Sequence, residues 1–175
     1  GPNMVRFLIG HGADIDAENI DEKTPLHLAI ETRNDEIAKI FIESGSNINY
    51  VDKDGNTLLH LASKYGLPEI IRMLIDKGIK INVKNDLEET PLYFAIGNGY
   101  SESAKILLKK NADIDIIDEN ENTLLHLASK YGLVEIVQIL IDMGLDINAK
   151  NKYNETPLYY AIDKKHQVAA EILIN

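Results

Sequence analysis

The segment Thr57–Leu67, TLLHLASKYGL, recurs without a single change at Thr123–Leu133. Relatives of its first six residues begin at Thr24, Thr90 and Thr156, so five copies follow one another at intervals of 33 residues. The spacing contains no insertion. Self-similarity at a fixed period of this length indicates a stack of small supersecondary units.

The copy that begins at Thr57 predicts two short helices with clear starts and stops. The Thr57 hydroxyl is a good N-cap acceptor, and His60 is placed to reach back to the Thr oxygen with a ring N–H. Gly66 is predicted to end this helix because glycine readily adopts a left-handed conformation. A second helix is predicted over Pro68–Lys77, where apolar residues recur at helical spacing, and Gly78 is predicted to end it.

Each predicted helix has only two to three turns, and helices of that length are marginal in water when isolated. Their apolar stripes therefore need neighbouring repeats to cover them. The polar segment 79–89 that follows is rich in turn residues and is predicted to form an extended, hairpin-like loop. The predicted unit is helix, tight turn, helix and long loop, and stacking of such units builds a solenoid.

The continuous series of repeats predicts a single domain over residues 4–175. We expect residues 1–3, which open with Gly1-Pro2, to be the remnant of a removed purification tag and the start of the native sequence. We also expect the chain to be a fragment of a longer protein. The predicted order is a half repeat, four full repeats and a shortened last repeat: 4–20, 21–53, 54–86, 87–119, 120–152 and 153–175.

Composition narrows the functional classes. The 175 residues contain no cysteine, which excludes disulfide scaffolds, thiol nucleophiles and cysteine-ligated zinc. Asp and Glu number 28 against 18 Lys and Arg, and a net charge of −10 makes a phosphate backbone a poor partner. No apolar run approaches the ~18 residues of a membrane span. The composition therefore favours neither nucleic acid nor membrane as a partner.

Catalytic and metal-binding patterns are weak. The motif histidines lie one repeat apart, too far for a shared metal ion, and we expect His11 and His166 to be surface residues. The acidic segment 113–121 carries five carboxylates without a base. It has neither an apolar pocket to raise a carboxyl pKa nor the spacing of a calcium loop. We predict a solvated loop and no enzymatic activity, while a contact with a basic partner and ion binding remain as alternatives.

Taken together, the 33-residue period, the Thr-Pro-Leu-His-x-Ala motif and Gly-Ala-Asp-Ile-Asp at residues 12–16 resemble the ankyrin repeat family. The resemblance implies an all-α solenoid of helix-turn-helix units with projecting loops, or fingers. It also implies non-catalytic, intracellular protein recognition without a cofactor. The residues that match the structural motif are Thr24, His27, Thr57, His60, Thr90, Thr123, His126 and Thr156.

Some positions depart from the family pattern. Tyr93 and Tyr159 stand in place of the motif histidine, so the ring bridge must differ there. The position at the loop tip where the family often has glycine carries a larger side chain in four fingers, and we expect reshaped tips. These residues are Glu22, Glu88, Glu121 and Asn154.

The resemblance implies that partners bind the fingertips and the exposed side of the first helices. Apolar side chains at positions expected to face solvent support this interpretation, because a row of them in one groove forms an interaction patch. Packing onto an adjacent finger or helix is the alternative. The candidate binding residues are Ile20, Val51, Lys53, Lys64, Tyr65, Leu87, Ile117, Glu119, Lys130, Tyr131 and Tyr153.

The leading hypothesis is a scaffold that binds another protein across several repeats. The alternatives are a passive spacer and the targeting arm of a larger enzyme, such as an effector delivered into a host cytoplasm. We predict a monomer or weak end-to-end self-association, because terminal repeats normally have polar outer faces. The apolar residues expected to be exposed at the two ends are Phe7, Leu8, Ile172 and Leu173.

Overall fold

The computed structural model describes residues 1–174. Asn175, the last residue of the predicted shortened repeat, lies outside the described residues. Within residues 1–174 there are eleven α-helices and no β-strand. In chain order, α1 to α11 are Pro2–Gly10, Pro25–Glu31, Asp35–Glu43, Leu58–Lys64, Pro68–Asp76, Pro91–Gly97, Ser101–Lys109, Leu124–Lys130, Val134–Asp142, Pro157–Asp163 and Gln167–Ile174.

The first helix of each repeat begins immediately after the motif threonine, as predicted. Thr57 has an extended backbone, and its hydroxyl accepts a hydrogen bond from the His60 backbone N–H. The prediction that glycines end both helices of this repeat is confirmed, since Gly66 and Gly78 have φ values of 65° and 88°. The second helix, α5, ends at Asp76, one residue before the predicted end.

The chain divides into two compact units, Gly1–Pro91 and Leu92–Asn175. In the first unit α2 packs against both α3 and α4, and α4 packs against α5. The second helices of the repeats also pack against one another, since α3 contacts both α1 and α5. Within this unit each helix pair therefore lies beside its sequence neighbour, which is the stacking that the repeat pattern predicts.

The second unit repeats this arrangement. Here α8 packs against α9 and α10, while α9 packs against α7 and α11. The buried side chains come from the apolar stripes of the short helices, and each fully buried leucine or isoleucine contributes about 1.5–3 kcal/mol. The largest fully buried side chains are Leu26, Ile30, Ile40, Ile42, Leu58, Leu59, Ile70, Ile71, Leu74, Leu92, Ile96 and Leu107.

Between the helix pairs lie polar loops, which we call fingers 1 to 5: residues 14–23, 47–56, 80–89, 113–122 and 146–155. Finger 3 is closed by a tight turn in which the Asn85 N–H donates to the Glu89 carbonyl at 2.9 Å. Isolated bridges pair Val51 with Thr57 and Ile117 with Thr123. The fingers are therefore hairpin-like, as predicted, without becoming strands.

Candidate functional site

Two of the motif histidines, His60 and His126, attach their first helices to the loop of the following repeat. The Nδ1 atom of His60 accepts the Thr57 backbone N–H at 3.0 Å and lies 2.9 Å from the Thr57 hydroxyl. Its Nε2–H donates to the Glu89 carbonyl at 3.1 Å. Because Nε2 carries the proton, Nδ1 is an acceptor in the neutral ring. The predicted ring N–H to threonine oxygen bond is therefore wrong in polarity, since the ring accepts and the threonine donates.

The other motif histidines differ in their distal contact. His126 repeats the His60 arrangement, with Nε2 donating to the Glu155 carbonyl at 3.1 Å. His27 instead has an edge-to-face contact with the ring of Tyr50, at a centroid distance of 4.9 Å. Burial lowers the pKa of all three rings, because desolvation disfavours the charged form. In all three repeats the ring lies within hydrogen-bond distance of the motif threonine hydroxyl.

A buried polar ladder joins neighbouring fingers at their bases. In the first unit the Asn85 side-chain amide donates to the Asn56 side-chain oxygen at 2.9 Å. In the second unit Asn151 makes the same bond to Asn122. Backbone bonds add to this ladder, for example from the Lys152 N–H to the Asn120 carbonyl at 3.1 Å. Satisfied buried polar groups of this kind fix the geometry of the fingers.

The ladder of the second unit has one additional member. The Tyr160 hydroxyl donates to the Glu155 carboxylate at 2.9 Å and accepts from Asn151 at 3.3 Å. Burial, followed by the bond to Glu155, raises the pKa of Tyr160 to about 12. The phenol is therefore a hydrogen-bond donor under ordinary conditions and strengthens the base of finger 5.

The fingertips keep one geometry whichever residue occupies the tip. Glu22, Glu88, Glu121 and Asn154 have φ values of 61–62°, close to the 76° of Gly55. The expectation that the larger residues reshape the tips is therefore wrong. The larger residues adopt the left-handed conformation that the turn requires, at the energetic cost that glycine avoids.

The predicted binding residues of the fingers project into solvent. Ile20 is 94% exposed and Leu87 is 75% exposed. The other finger residues among the predictions are also exposed: Val51, Lys53, Ile117, Glu119 and Tyr153. On the first helices Lys64 and Tyr131 are exposed, whereas Tyr65 and Lys130 are half-buried. The fingertips thus present large apolar side chains on an ordered backbone.

Two grooves open beside the fingers, one in each unit. Groove 1 lies in the first unit and has a volume of about 420 Å³. Its walls are strongly charged, and Lys23 and Glu31 form a half-buried ion pair across 2.7 Å. The lining residues are Asp21, Lys23, Glu31, Asp52, Lys53, Asp54, Asn56, Leu61, Lys64 and Tyr65.

Groove 2, of about 270 Å³, lies in the second unit and is rich in aromatic rings. The rings of Tyr93 and Phe94 contact each other edge to face, with their centroids 6.2 Å apart. On the opposite wall of the groove, the Lys130 ammonium lies 5.6 Å from the centre of the neighbouring Tyr131 ring. The lining residues are Tyr93, Phe94, Gly97, Asn98, Asp118, Asn120, Asn122, His126, Leu127, Lys130, Tyr131 and Tyr160.

Sequence reasoning missed one wall of groove 2. It identified Lys130 and Tyr131 but treated Tyr93 only as a departure from the histidine motif, and it did not select Phe94 or Gly97. The available signal was the consecutive pair of aromatic residues on a first helix, beside a glycine where a first helix usually has a side chain. Tyr93, Phe94 and Gly97 line the same groove as Tyr131 because neighbouring repeats pack together, and the sequence of a single repeat does not reveal this packing.

Finger 4 carries the five carboxylates of segment 113–121. Asp118 is half-buried, and its Oδ1 accepts the backbone N–H groups of both Asn120 and Asn122. The other four carboxylates are exposed, so the expectation of a solvated acidic loop agrees with the structure. Within residues 1–174 no group of three or more His, Asp and Glu side chains is placed to hold a metal ion.

Two predictions about surface residues need correction. His11 is exposed, as expected, but His166 is half-buried, and its Nε2–H donates to the Lys130 carbonyl at 3.1 Å. At the ends of the chain Phe7 and Leu8 are exposed, whereas Leu173 is buried among the helices of the second unit. His166 completes the C-terminal end of α8, which is why it cannot face solvent.

These observations define a helical repeat protein with projecting loops that buried hydrogen bonds join at their bases. The family model for ankyrin repeats matches the chain three times, over residues 1–85, 46–118 and 92–175. The chain belongs to the ankyrin repeat family. Ankyrin repeats are in general non-catalytic protein–protein interaction modules.

Two further findings concern sequence relatives and membrane-spanning helices. No curated protein matched the chain in the sequence comparison. Within residues 1–174 none of the helices combines the length and hydropathy that crossing a membrane requires. The cytoplasmic location and the enzyme-recruiting alternative stay predictions.

Proposed function

We propose that this chain binds a partner protein through its fingertips and the exposed ends of its first helices, without chemistry of its own. The observation that carries the proposal is the exposure of large apolar side chains on the ordered fingers. Ile20, Leu87 and Tyr153 each expose more than half of their surface, although apolar side chains are stabilised by burial.

The polar ladder explains why such a surface would bind well. Association costs free energy when flexible loops must be ordered. The buried bonds at the finger bases, such as Asn85 to Asn56, have already ordered these loops in the free protein. Apolar fingertip groups can then be buried by a partner with little additional loss of conformational entropy.

Tyrosines contribute a second part of the surface. Tyr131 and Tyr153 are exposed, and each lies beside a lysine whose ammonium is over its ring. Tyrosine is enriched at binding hot spots because it offers a large area with few rotatable bonds. Packing onto neighbouring fingers remains the better explanation for the half-buried Tyr65.

The test uses site-specific photo-crosslinking in cells. A photo-reactive amino acid replaces Tyr153 on finger 5, and in a control protein it replaces Gln138, which is exposed on the second helix α9. We expect a discrete crosslinked protein from position 153 and none from position 138. The crosslinked protein is then purified, and its affinity for the chain is measured by calorimetry.

Substitutions decide between a binding surface and a spacer. Tyr131→Ala and Leu87→Ala should each weaken the measured affinity at least about tenfold, or about 1.4 kcal/mol, while Gln138→Ala should leave it unchanged. Equal affinities for all four proteins, or equal crosslinking from both positions, would contradict the proposal.

A further inference from the structure

We propose that groove 2 is an anchor pocket for one large apolar side chain of a partner segment, and that lysines or arginines flank this anchor. The inference rests on the proposed function and deepens it by naming the chemistry of the partner. The chain allows a direct comparison of the two grooves. One wall of each groove is built from the same sequence, and the opposite walls differ.

The wall with the same sequence in both grooves is formed by segment 57–67 in groove 1 and by the identical segment 123–133 in groove 2. Each contributes a leucine, a lysine and a tyrosine to its groove, so Leu127, Lys130 and Tyr131 occupy the positions that Leu61, Lys64 and Tyr65 occupy in groove 1. Differences in what the two grooves accept must therefore come from the opposite wall and from the fingers.

The opposite wall of groove 2 is open and aromatic. Residue 97 is a glycine, and a Cβ built on Gly97 would meet no atom within 4 Å. The equivalent residue of groove 1, 66 positions earlier, is Glu31, which pairs with Lys23. The absence of this side chain leaves the rings of Tyr93 and Phe94 to form the wall. Groove 2 thus has two aromatic rings and free space in place of the ion pair, beside the polar side chains of finger 4.

The size and surroundings of groove 2 suit one large side chain. Its volume of about 270 Å³ exceeds the ~150 Å³ that holds a benzene molecule in a protein interior. Aromatic rings lie on both walls, and they favour another ring or a large aliphatic group. An extended segment of a partner can insert one such side chain between Phe94 and Tyr131 while its backbone remains at the surface.

Charge determines what flanks the anchor. Finger 4 adjoins groove 2 and carries five carboxylates and no base, and it keeps a net charge of −4 even when Lys152 of finger 5 is counted with it. The Lys152 ammonium lies 3.4 Å from the Glu119 carbonyl. The lining of groove 2 contains one lysine, Lys130, and one carboxylate, Asp118, whereas three lysines and four carboxylates line groove 1. Basic residues beside the anchor complement finger 4, and acidic residues would be repelled.

The test titrates the full ¹⁵N-labelled chain with three synthetic seven-residue peptides. The first has phenylalanine between two pairs of lysines, the second replaces the lysines by glutamates, and the third replaces the phenylalanine by alanine. We expect the lysine–phenylalanine peptide to shift amide signals of residues 93–98 and 118–131 more than those of 21–31 and 52–65. The third peptide should bind at least about fivefold more weakly, and the glutamate peptide should produce no shifts.

Variants separate the pocket from the charge. Gly97→Gln fills the free space without adding charge and should abolish the shifts, whereas Gly97→Ala should retain them. The triple variant Asp115→Asn, Glu119→Gln and Glu121→Gln should weaken the lysine–phenylalanine peptide about tenfold at low salt. The difference should vanish near 1 M salt, where the Debye length is about 3 Å. Circular dichroism confirms that each variant is folded.

Several results would overturn the inference: equal shifts at both grooves, equal binding of the lysine and glutamate peptides, or no shifts at millimolar peptide. Unchanged binding to a folded Gly97→Gln protein would do the same. These results leave the proposed function intact if Tyr131→Ala still weakens the crosslinked partner. Conversely, a partner that is insensitive to all fingertip variants rejects the proposed function, while the peptide titration still decides this inference.

Discussion

Replacement of Glu121 by glycine should stabilise the protein. Glu121 occupies the tip of finger 4 with a φ of 62°, a conformation that L side chains adopt at a cost and glycine adopts freely. Its side chain is exposed, and its backbone N–H donates to the Asp118 carbonyl at 2.9 Å, a bond that glycine retains. The equivalent tip of finger 2 is already Gly55, so the substitution introduces a residue that this turn accommodates elsewhere in the chain.

The expected gain is the difference between two terms. The left-handed conformation costs a non-glycine residue about 1–2 kcal/mol. Glycine in turn increases the conformational entropy of the unfolded chain, which costs about 0.4–1 kcal/mol. The net stabilisation is therefore on the order of 0.5–1 kcal/mol. For a chain of this length such a change raises the melting temperature by about 1–4 °C.

The assay compares urea midpoints and melting temperatures followed by circular dichroism. Glu121→Ala is the matched control, because it removes the carboxylate and keeps the strained Cβ. It should give none of the gain that belongs to the conformation. Gly55→Ala is the reverse test, since the new Cβ would lie 2.7 Å from the Asp86 carboxylate and 3.0 Å from its backbone nitrogen. It should lower stability by more than about 1 kcal/mol.

Two outcomes would refute this reasoning. If Glu121→Gly and Glu121→Ala have the same midpoint, removal of the charge rather than relief of the backbone explains the change. If Glu121→Gly lowers the midpoint at an unchanged denaturant slope, the left-handed cost at this tip is smaller than the entropy of the unfolded chain.

Three further predictions concern the scaffold. Gly132→Ala should lower the melting temperature, because its Cβ would lie 2.4 Å from the His166 ring at a φ of 62°; an unchanged melt would contradict this. The three motif histidines have pKa values lowered by burial, so the unfolded state binds more protons and stability should fall as the pH drops below about 6.5. Urea midpoints at pH 7.5 and 5.5 measure this loss, and equal midpoints would contradict the prediction. Tyr160→Phe removes the donor to the Glu155 carboxylate and should cost about 1 kcal/mol in urea unfolding; a neutral result would show that the bond contributes nothing.

The scaffold was predictable because its signals are local. A threonine cap, a glycine stop and apolar residues at helical spacing lie within a few residues of one another, and the repeat confirms each signal several times. The predicted second helix over Pro68–Lys77 differs from the observed Pro68–Asp76 by one residue. Helix ends of this kind depend on backbone hydrogen bonds inside one repeat, so no knowledge of neighbouring repeats was required.

Several of the errors arose where the environment of a residue comes from another repeat. The proton on His60 is placed by the Glu89 carbonyl of the following repeat, and that contact reversed the predicted bond to Thr57. His166 lies against α8 of the preceding repeat, which accounts for its burial. The wall formed by Gly97 likewise acquires significance only opposite Tyr131. Sequence patterns locate these residues but do not identify the group that faces them.

The same distinction explains where the two 66-residue copies have diverged. Segments 57–67 and 123–133 are identical, and most of their residues are buried or half-buried against the cap, the following loop or the neighbouring helices. Fingers 2 and 4 are identical at only three of their ten positions, among them the ladder residues Asn56 and Asn122, and their net charges differ by four units. A finger that is fixed at its base can change its exposed residues while the turn at its tip keeps its geometry. Differences in partner recognition between the two units should therefore map to the tips and to the open wall at Gly97, rather than to the shared lysine and tyrosine.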